Sequence, residues 1–119
     1  MLNALVIDDE IDIWFLLSGM LRRHNLKTTF VNNLHGATKK LAKESPSVIF
    51  LDNRLPDGLG IDFICDIKKQ RPLSKIVLIT GHATDEDRRK ALKNGADLFI
   101  SKPFSSRMID EALNKLMQY

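Results

Sequence analysis

The sequence predicts an α/β domain in which a five-stranded parallel sheet is doubly wound, with helices on both faces. Three observations lead there. Short apolar runs rich in β-branched residues alternate with longer segments of helical period, the pattern of successive βα units. The third and fourth runs, Val48 to Leu51 and Ile76 to Ile79, are apolar throughout, as strands covered on both faces must be. The length of 119 residues suits one core and is too short for a second domain, so residues 1–119 are expected to form a single unit.

The elements follow in order. The apolar run Leu2 to Ile7 places the first strand at Ala4 to Asp8, and the first helix is expected over Ile11 to His24. Along that helix Ile13, Leu16, Leu17, Met20 and Leu21 form a stripe expected to face the core, whereas Ile11, Trp14 and Phe15 fall toward the opposite side at roughly 100° per residue. Lys27 to Val31 reads as the second strand and Leu34 to Glu44 as the second helix, with Ser45-Pro46 in the connection to the third strand, Val48 to Leu51. Gly60 to Gln70 supplies a third helix, Arg71-Pro72 a turn, and Lys75 to Thr80 the fourth strand. The fourth helix, Asp85 to Asn94, is stopped by Asn94-Gly95, and Asp97 to Ile100 is the fifth strand. Ser105 or Ser106 can cap a last helix ending at Met117, with Met108, Ile109, Ala112, Leu113 and Leu116 expected in the core.

Composition narrows the function. With 44% hydrophobic and 28% charged residues the chain is an ordinary globular one, and no stretch is long enough to span a bilayer. The start lacks the basic region and cleavage site of a signal peptide, and the single cysteine, Cys65, can form no internal disulfide, so a cytoplasmic home is expected. The net charge of +3 is spread over helical segments such as Lys39-Lys40 and Arg88-Arg89-Lys90. Without a basic stripe or interleaved aromatics, direct nucleic-acid binding is not expected.

In a doubly wound sheet of order 2-1-3-4-5, ligands bind beyond the carboxyl ends of the strands, where strand order reverses. That point lies between the first and third strands, where Asp8, Asp9 and Asp52 would meet, with Thr80 and Lys102 completing the rim from strands four and five. Two carboxylates about 4 Å apart repel by roughly 4 kcal/mol at an effective dielectric near 20, so three ionised together require a cation. Lys102 leaves the set two charges negative, the deficit a divalent ion would neutralise. Donors that are all oxygen favour Mg²⁺ or Mn²⁺ over Zn²⁺, and the acid spacing is wrong for a calcium loop. A divalent ion, an ammonium and a hydroxyl around one carboxylate make a cradle for a phosphoryl group, with Asp52 as the nucleophile that would become an aspartyl phosphate.

The acid pair in Val6-Ile7-Asp8-Asp9-Glu10, Leu51-Asp52 followed by Pro56 and Gly60, Thr80-Gly81, and Lys102-Pro103-Phe104 together resemble the receiver domain of a two-component response regulator, chemotaxis-receiver-like, over Leu2 to Met117. The resemblance implies a flavodoxin-like (βα)5 fold and a signalling phosphoprotein of a bacterial two-component phosphorelay. Its catalysis would be limited to its own phosphotransfer and slow autodephosphorylation, with no metabolic enzyme activity. It implies that Asp52 is the phosphoacceptor, that Asp9 binds Mg²⁺ directly and Asp8 partly through water, and that the backbone carbonyl of Arg54 is the remaining protein ligand. It implies that Lys102 pairs with the phosphoryl oxygens, that Thr80 moves inward to hydrogen-bond one of them, and that Phe99 follows, altering the face made by helix four, strand five and helix five. The Lys102-Pro103 peptide is expected to be cis. The implied partners are a sensor histidine kinase or phosphotransfer domain and a second copy through the same switching face.

Several residues admit two readings. Arg54 and His82 either flank the phosphoryl group and tune its hydrolysis or are solvated loop side chains. Ile11, Trp14 and Phe15 either form a docking surface beside the acid pair or merely cover neighbouring side chains. Glu10 reads as a first-turn acid favoured by the helix dipole, and His24, His35 and Cys65 as ordinary residues away from the rim. Two other function classes compete with the switch: a phosphorylation-independent docking module of the same fold, opposed by the complete acid, hydroxyl and lysine set, and an aspartate-nucleophile phosphatase, opposed by Arg54 where a second acid would stand and by the lack of a cap domain. No serine, histidine and acid trio converges on the strand ends, and no glycine-rich phosphate loop follows the first strand.

Overall fold

A computed structural model describes residues 2–117. The apolar runs form one parallel sheet of five strands: β1 (Leu2–Ile7), β2 (Leu26–Val31), β3 (Val48–Asp52), β4 (Lys75–Thr80) and β5 (Leu98–Ser101). Their order is β2-β1-β3-β4-β5, the order expected from the sequence. Five helices connect and follow them: α1 (Ile11–Arg22), α2 (Leu34–Lys43), α3 (Gly60–Gln70), α4 (Asp85–Asn94) and α5 (Ser106–Met117).

The period-two alternation of the strands divides the core into two layers. Leu5 and Ile7 of β1 point to one face, where they meet Ile49, Leu51, Ile76 and Leu78 under α2, α3 and the single buried residue of α4, Ala91. Ala4 and Val6 point to the other, where Val48, Phe50, Val77 and Ile79 pack under Leu17 and Leu21 of α1 and Ile109 and Leu113 of α5. Each fully buried aliphatic side chain contributes about 1.5–3 kcal/mol, so each helix that places two or three of them inward is fixed on the sheet.

Local chemistry sets the ends. Asn33 Oδ1 caps α2 through the Gly36 amide, Thr84 Oγ1 caps α4 through the Asp87 amide, and Ser105, not Ser106, caps α5 through the Met108 amide at 3.2 Å. Gly95 ends α4 at φ +117°, a conformation that side-chain-bearing residues resist. The Lys102-Pro103 peptide is cis.

Three expectations need correction. Leu16 is 47% exposed and lies outside the α1 core stripe. Trp14 does not project away from the domain: it is half-buried, in tilted ring contact with Phe15 and with Phe30 of β2 at centroid distances of 4.8 and 5.6 Å. Met108 on α5 is exposed as well, because the inward side of that helix is carried by Ile109, Ala112 and Leu113. An additional element, a two-residue antiparallel ladder pairing Arg54 with Leu59 and Leu55 with Gly58, occupies the connection from β3 to α3.

Candidate functional site

Register brings the acids together. Ile7 of β1 pairs with Leu51 of β3, so Asp8 and Asp52, the next residue on each chain, emerge side by side at the carboxyl edge. Thr80 pairs with Ser101, which places Lys102 one residue beyond the same edge. A cleft of about 300 Å³ opens there, walled by Asp9, Glu10, Asp52, Arg54, Thr80, Gly81, His82 and Lys102. A larger cleft of about 450 Å³ lies at the amino ends of the strands, around Pro46, Pro72 and Leu73, but among the described residues no carboxylate lines it.

Two of the three sequence-selected acids are deeply buried: Asp8 is 2% and Asp52 6% exposed, whereas Asp9 faces solvent. Lys102 bridges them, its Nζ lying 3.3 Å from Asp8 Oδ2 and 3.3 Å from Asp52 Oδ1. Burial pushes the Asp52 carboxyl up to about 6, and Asp8 and Asp9 add to the rise while Lys102 opposes it. Burial also raises Asp8, against the Glu10 amide that donates to Asp8 Oδ1 at 2.9 Å and against Lys102. Burial works to lower the Lys102 ammonium, but Asp8, Asp52 and Glu10 outweigh it and leave its pKa raised.

Glu10 is nearer to this chemistry than a dipole-favoured helix acid needs to be. Its Oε1 is 3.7 Å from Lys102 Nζ, and one carboxylate oxygen each from Asp8, Asp9 and Glu10 lie within 4.8 Å of one another. The rim therefore gathers Asp8, Asp9, Glu10 and Asp52 against the Lys102 ammonium and the Arg54 guanidinium, which leaves it net acidic. Hard oxygen donors in this number and charge fit a divalent cation such as Mg²⁺ or Mn²⁺, and Asp8, Asp9 and Glu10 bring carboxylate oxygens close enough together to share one.

Two backbone constraints shape the loop after Asp52. A Cβ on Gly60 would lie 2.3 Å from the Asp52 carbonyl oxygen, so only glycine lets α3 start this close to the end of β3. Asn53, buried beside Asp52, accepts from the Ile61 amide through its side chain at 2.9 Å and from the Gly60 amide through its carbonyl at 2.7 Å. Neither Asn53 nor Glu10 was singled out as a site residue from sequence.

On the far side of the cleft, Thr80 is buried and its Oγ1 accepts from the His82 amide at 3.2 Å. Phe99 does not line the cleft. It is 8% exposed in the layer with Leu78 and Ala91, and the Arg88 guanidinium lies 5.0 Å above its ring. Arg54 and His82 both stand on the cleft wall. Ile11 and Phe15, at the start of α1, are 58% and 61% exposed, so of the three candidate docking residues only Trp14 is turned inward. His24 lies 2.7 Å from Asp110 of α5, and Cys65 is exposed on α3.

Residues 4–114 match the family described as the response regulator receiver domain. The response regulator protein PilR of Pseudomonas aeruginosa is 38% identical over 101 residues, covering 85% of this chain and 23% of the relative. This chain thus spans about a quarter of that protein. Among solved structures, a response regulator from Burkholderia pseudomallei with a phosphorylated aspartic acid, calcium ion and citrate superposes with a TM-score of 0.88 at 29% identity, over 95% of this chain and 66% of that one. The beryllofluoride-activated NtrC4 receiver domain dimer gives 0.93 at 36% identity, over 99% of this chain and 98% of that one.

Proposed function

We propose, from the premise that this chain belongs to the response regulator receiver domain family, that residues 1–119 form one receiver domain whose Asp52 takes a phosphoryl group from the phosphohistidine of a sensor kinase. The observation that carries this reading is Lys102 Nζ held 3.3 Å from both Asp8 and Asp52 at the mouth of an acid-lined cleft.

Receivers are signalling domains, and the chemistry here is one transfer. An Asp52 carboxylate oxygen attacks phosphorus, the bond from phosphorus to the donor nitrogen breaks, the imidazole leaves with the electron pair, and an acyl phosphate remains. Burial raises the metal-free Asp52 carboxyl to about 6, so it is ionised at neutral pH and available to attack. A Mg²⁺ bound to Asp8, Asp9, Asp52 and the Arg54 carbonyl would neutralise the acids and the incoming oxygens. Lys102 pairs with the charge that the phosphoryl group brings. Thr80, whose hydroxyl oxygen already accepts from His82, keeps its proton to donate to a phosphoryl oxygen. Arg54, on the cleft wall, screens the acyl phosphate from water.

The output would be read at the face made by α4, β5 and α5. Phe99 on β5 is packed beneath α4, so movement of Thr80 on the neighbouring strand reaches α4 through it. That face would also pair two copies, and the exposed Ile11 and Phe15 beside the acids would receive the kinase or phosphotransfer domain in the cytoplasm. Chemical shifts recorded on adding Mg²⁺ and then beryllofluoride test the switch. The reading expects changes at Asp52, Thr80 and Lys102 together with Phe99 and α4. Changes confined to the rim would remove the switching face.

A further inference from the structure

We propose that Asp57 is a positioning residue that straps the phosphoacceptor loop to the amino end of α2 and thereby sets the affinity of the acidic rim for its divalent cation. The inference rests on the reading of Asp8, Asp9, Asp52 and the Arg54 carbonyl as the cation site.

The loop between β3 and α3 is closed at its base by the Asn53 and Gly60 contacts and by the short ladder from Arg54 to Leu59. A two-residue ladder is marginal in water and cannot by itself hold a loop in one geometry. At the tip a second anchor appears. The Asp57 carboxylate accepts from the Leu34 amide at 2.8 Å through Oδ1 and from the His35 amide at 2.9 Å through Oδ2. Both are first-turn amides of α2, which no carbonyl within the helix can satisfy. The local cap, Asn33, serves only the Gly36 amide at 2.6 Å, so α2 divides its free donors between a neighbour in sequence and a carboxylate from the acceptor loop.

The contact is tight as well as polar. Gly58, at φ +154°, lets the loop press on α2, for a Cβ there would lie 3.0 Å from Leu34 Cδ1. The two α2 amides hold the Asp57 carboxyl below its usual range, so the strap is charged at neutral pH. Asp57 is therefore committed to α2, although it lies five residues after Asp52. The loop it pins carries Arg54. If the strap is cut, the loop samples other geometries, and cation affinity falls by the fraction of time that the carbonyl is out of place.

The test counts free Mn²⁺ by electron paramagnetic resonance in titrations of wild type, Asp57→Ala, Asp57→Asn and Asn33→Ala, with amide hydrogen exchange run in parallel. Asp57→Ala should weaken Mn²⁺ binding by roughly 3- to 10-fold, the effect of losing a side-chain cap whose cost falls on the loop. Asp57→Asn, which keeps one acceptor, should fall between it and wild type. Asn33→Ala removes a cap of similar strength without touching the loop and should stay within about 2-fold of wild type. An unchanged constant in Asp57→Ala, even with a lower melting temperature, would overturn the strap, as would equal weakening by Asn33→Ala. Should wild type bind no Mn²⁺, the cation reading itself falls. Exchange then decides the strap: Asp57→Ala, unlike Asn33→Ala, must accelerate exchange in residues 54–59.

Discussion

Replacing the Asp52 carboxylate should make the metal-free protein more stable at neutral pH. Asp52 is 6% exposed, and its pKa stands at about 6 against an ordinary 3.8. A rise of about 2 units means that ionising Asp52 in the folded state costs about 3 kcal/mol more than ionising it in the unfolded chain. The native state holds a proton on Asp52 between pH 3.8 and about 6 that the unfolded chain has released, so stability falls as pH rises through that window. Below it there is no penalty, and above it the penalty is complete. Asp52→Asn keeps the side-chain shape, removes the charge, and leaves Lys102 paired with Asp8 and Glu10. For a chain of this length about 3 kcal/mol corresponds to roughly 10 °C in melting temperature. Thermal unfolding by circular dichroism in a chelator, at several values from pH 4 to 7.5, measures the gap. It should be near 10 °C at the upper end and shrink toward zero at the lower. Equal melting temperatures at pH 7.5, or a gap independent of pH, would refute the reasoning.

Lys102→Met leaves two buried carboxylates without their shared cation, and urea unfolding at pH 7.5 should show a loss of about 3 kcal/mol that is recovered as the pH is lowered and Asp8 and Asp52 take up protons. Gly60→Ala drives a Cβ to within 2.3 Å of the Asp52 carbonyl oxygen, and a destabilisation of roughly 2–3 kcal/mol or more is expected, read as a lower urea midpoint. Thr80→Ala should still accept a phosphoryl mimic at Asp52 but lose the chemical-shift response at Phe99 and α4. A full response in that variant would show that Thr80 is not the relay.

The strands were legible because parallel strands covered on both faces must be apolar runs, and α3 begins at Gly60 and stops before Arg71-Pro72 while α4 stops at Gly95, where the glycine and proline punctuation places them. The site was legible for a related reason: one strand order brings the residue after each run to the same edge, so Asp8, Asp52, Thr80 and Lys102 could be placed together before any contact was seen. What escaped depends on distances that periodicity does not encode. Helix α1 is apolar nearly all round, so a 100° projection could not tell that Trp14 leans onto Phe30 while Leu16 stays in solvent. An acid in the first turn of a helix has the same local signal whether it faces water or, like Glu10, a lysine contributed from 92 residues away. The ladder after Asp52 did leave a mark, the turn sequence Pro56-Asp57-Gly58, but the partner of Asp57 on α2 lies 23 residues back and has no motif.

The central claim is that Asp52 accepts a phosphoryl group in a cation-dependent reaction. Intact-mass spectrometry after incubation with acetyl phosphate, with Mg²⁺ or with a chelator, on wild type and Asp52→Asn, tests it most directly. The account predicts a single phosphoryl adduct in wild type with Mg²⁺ and none in the other three samples. No adduct on folded wild-type protein with fresh donor, or an adduct that persists in Asp52→Asn, would contradict it.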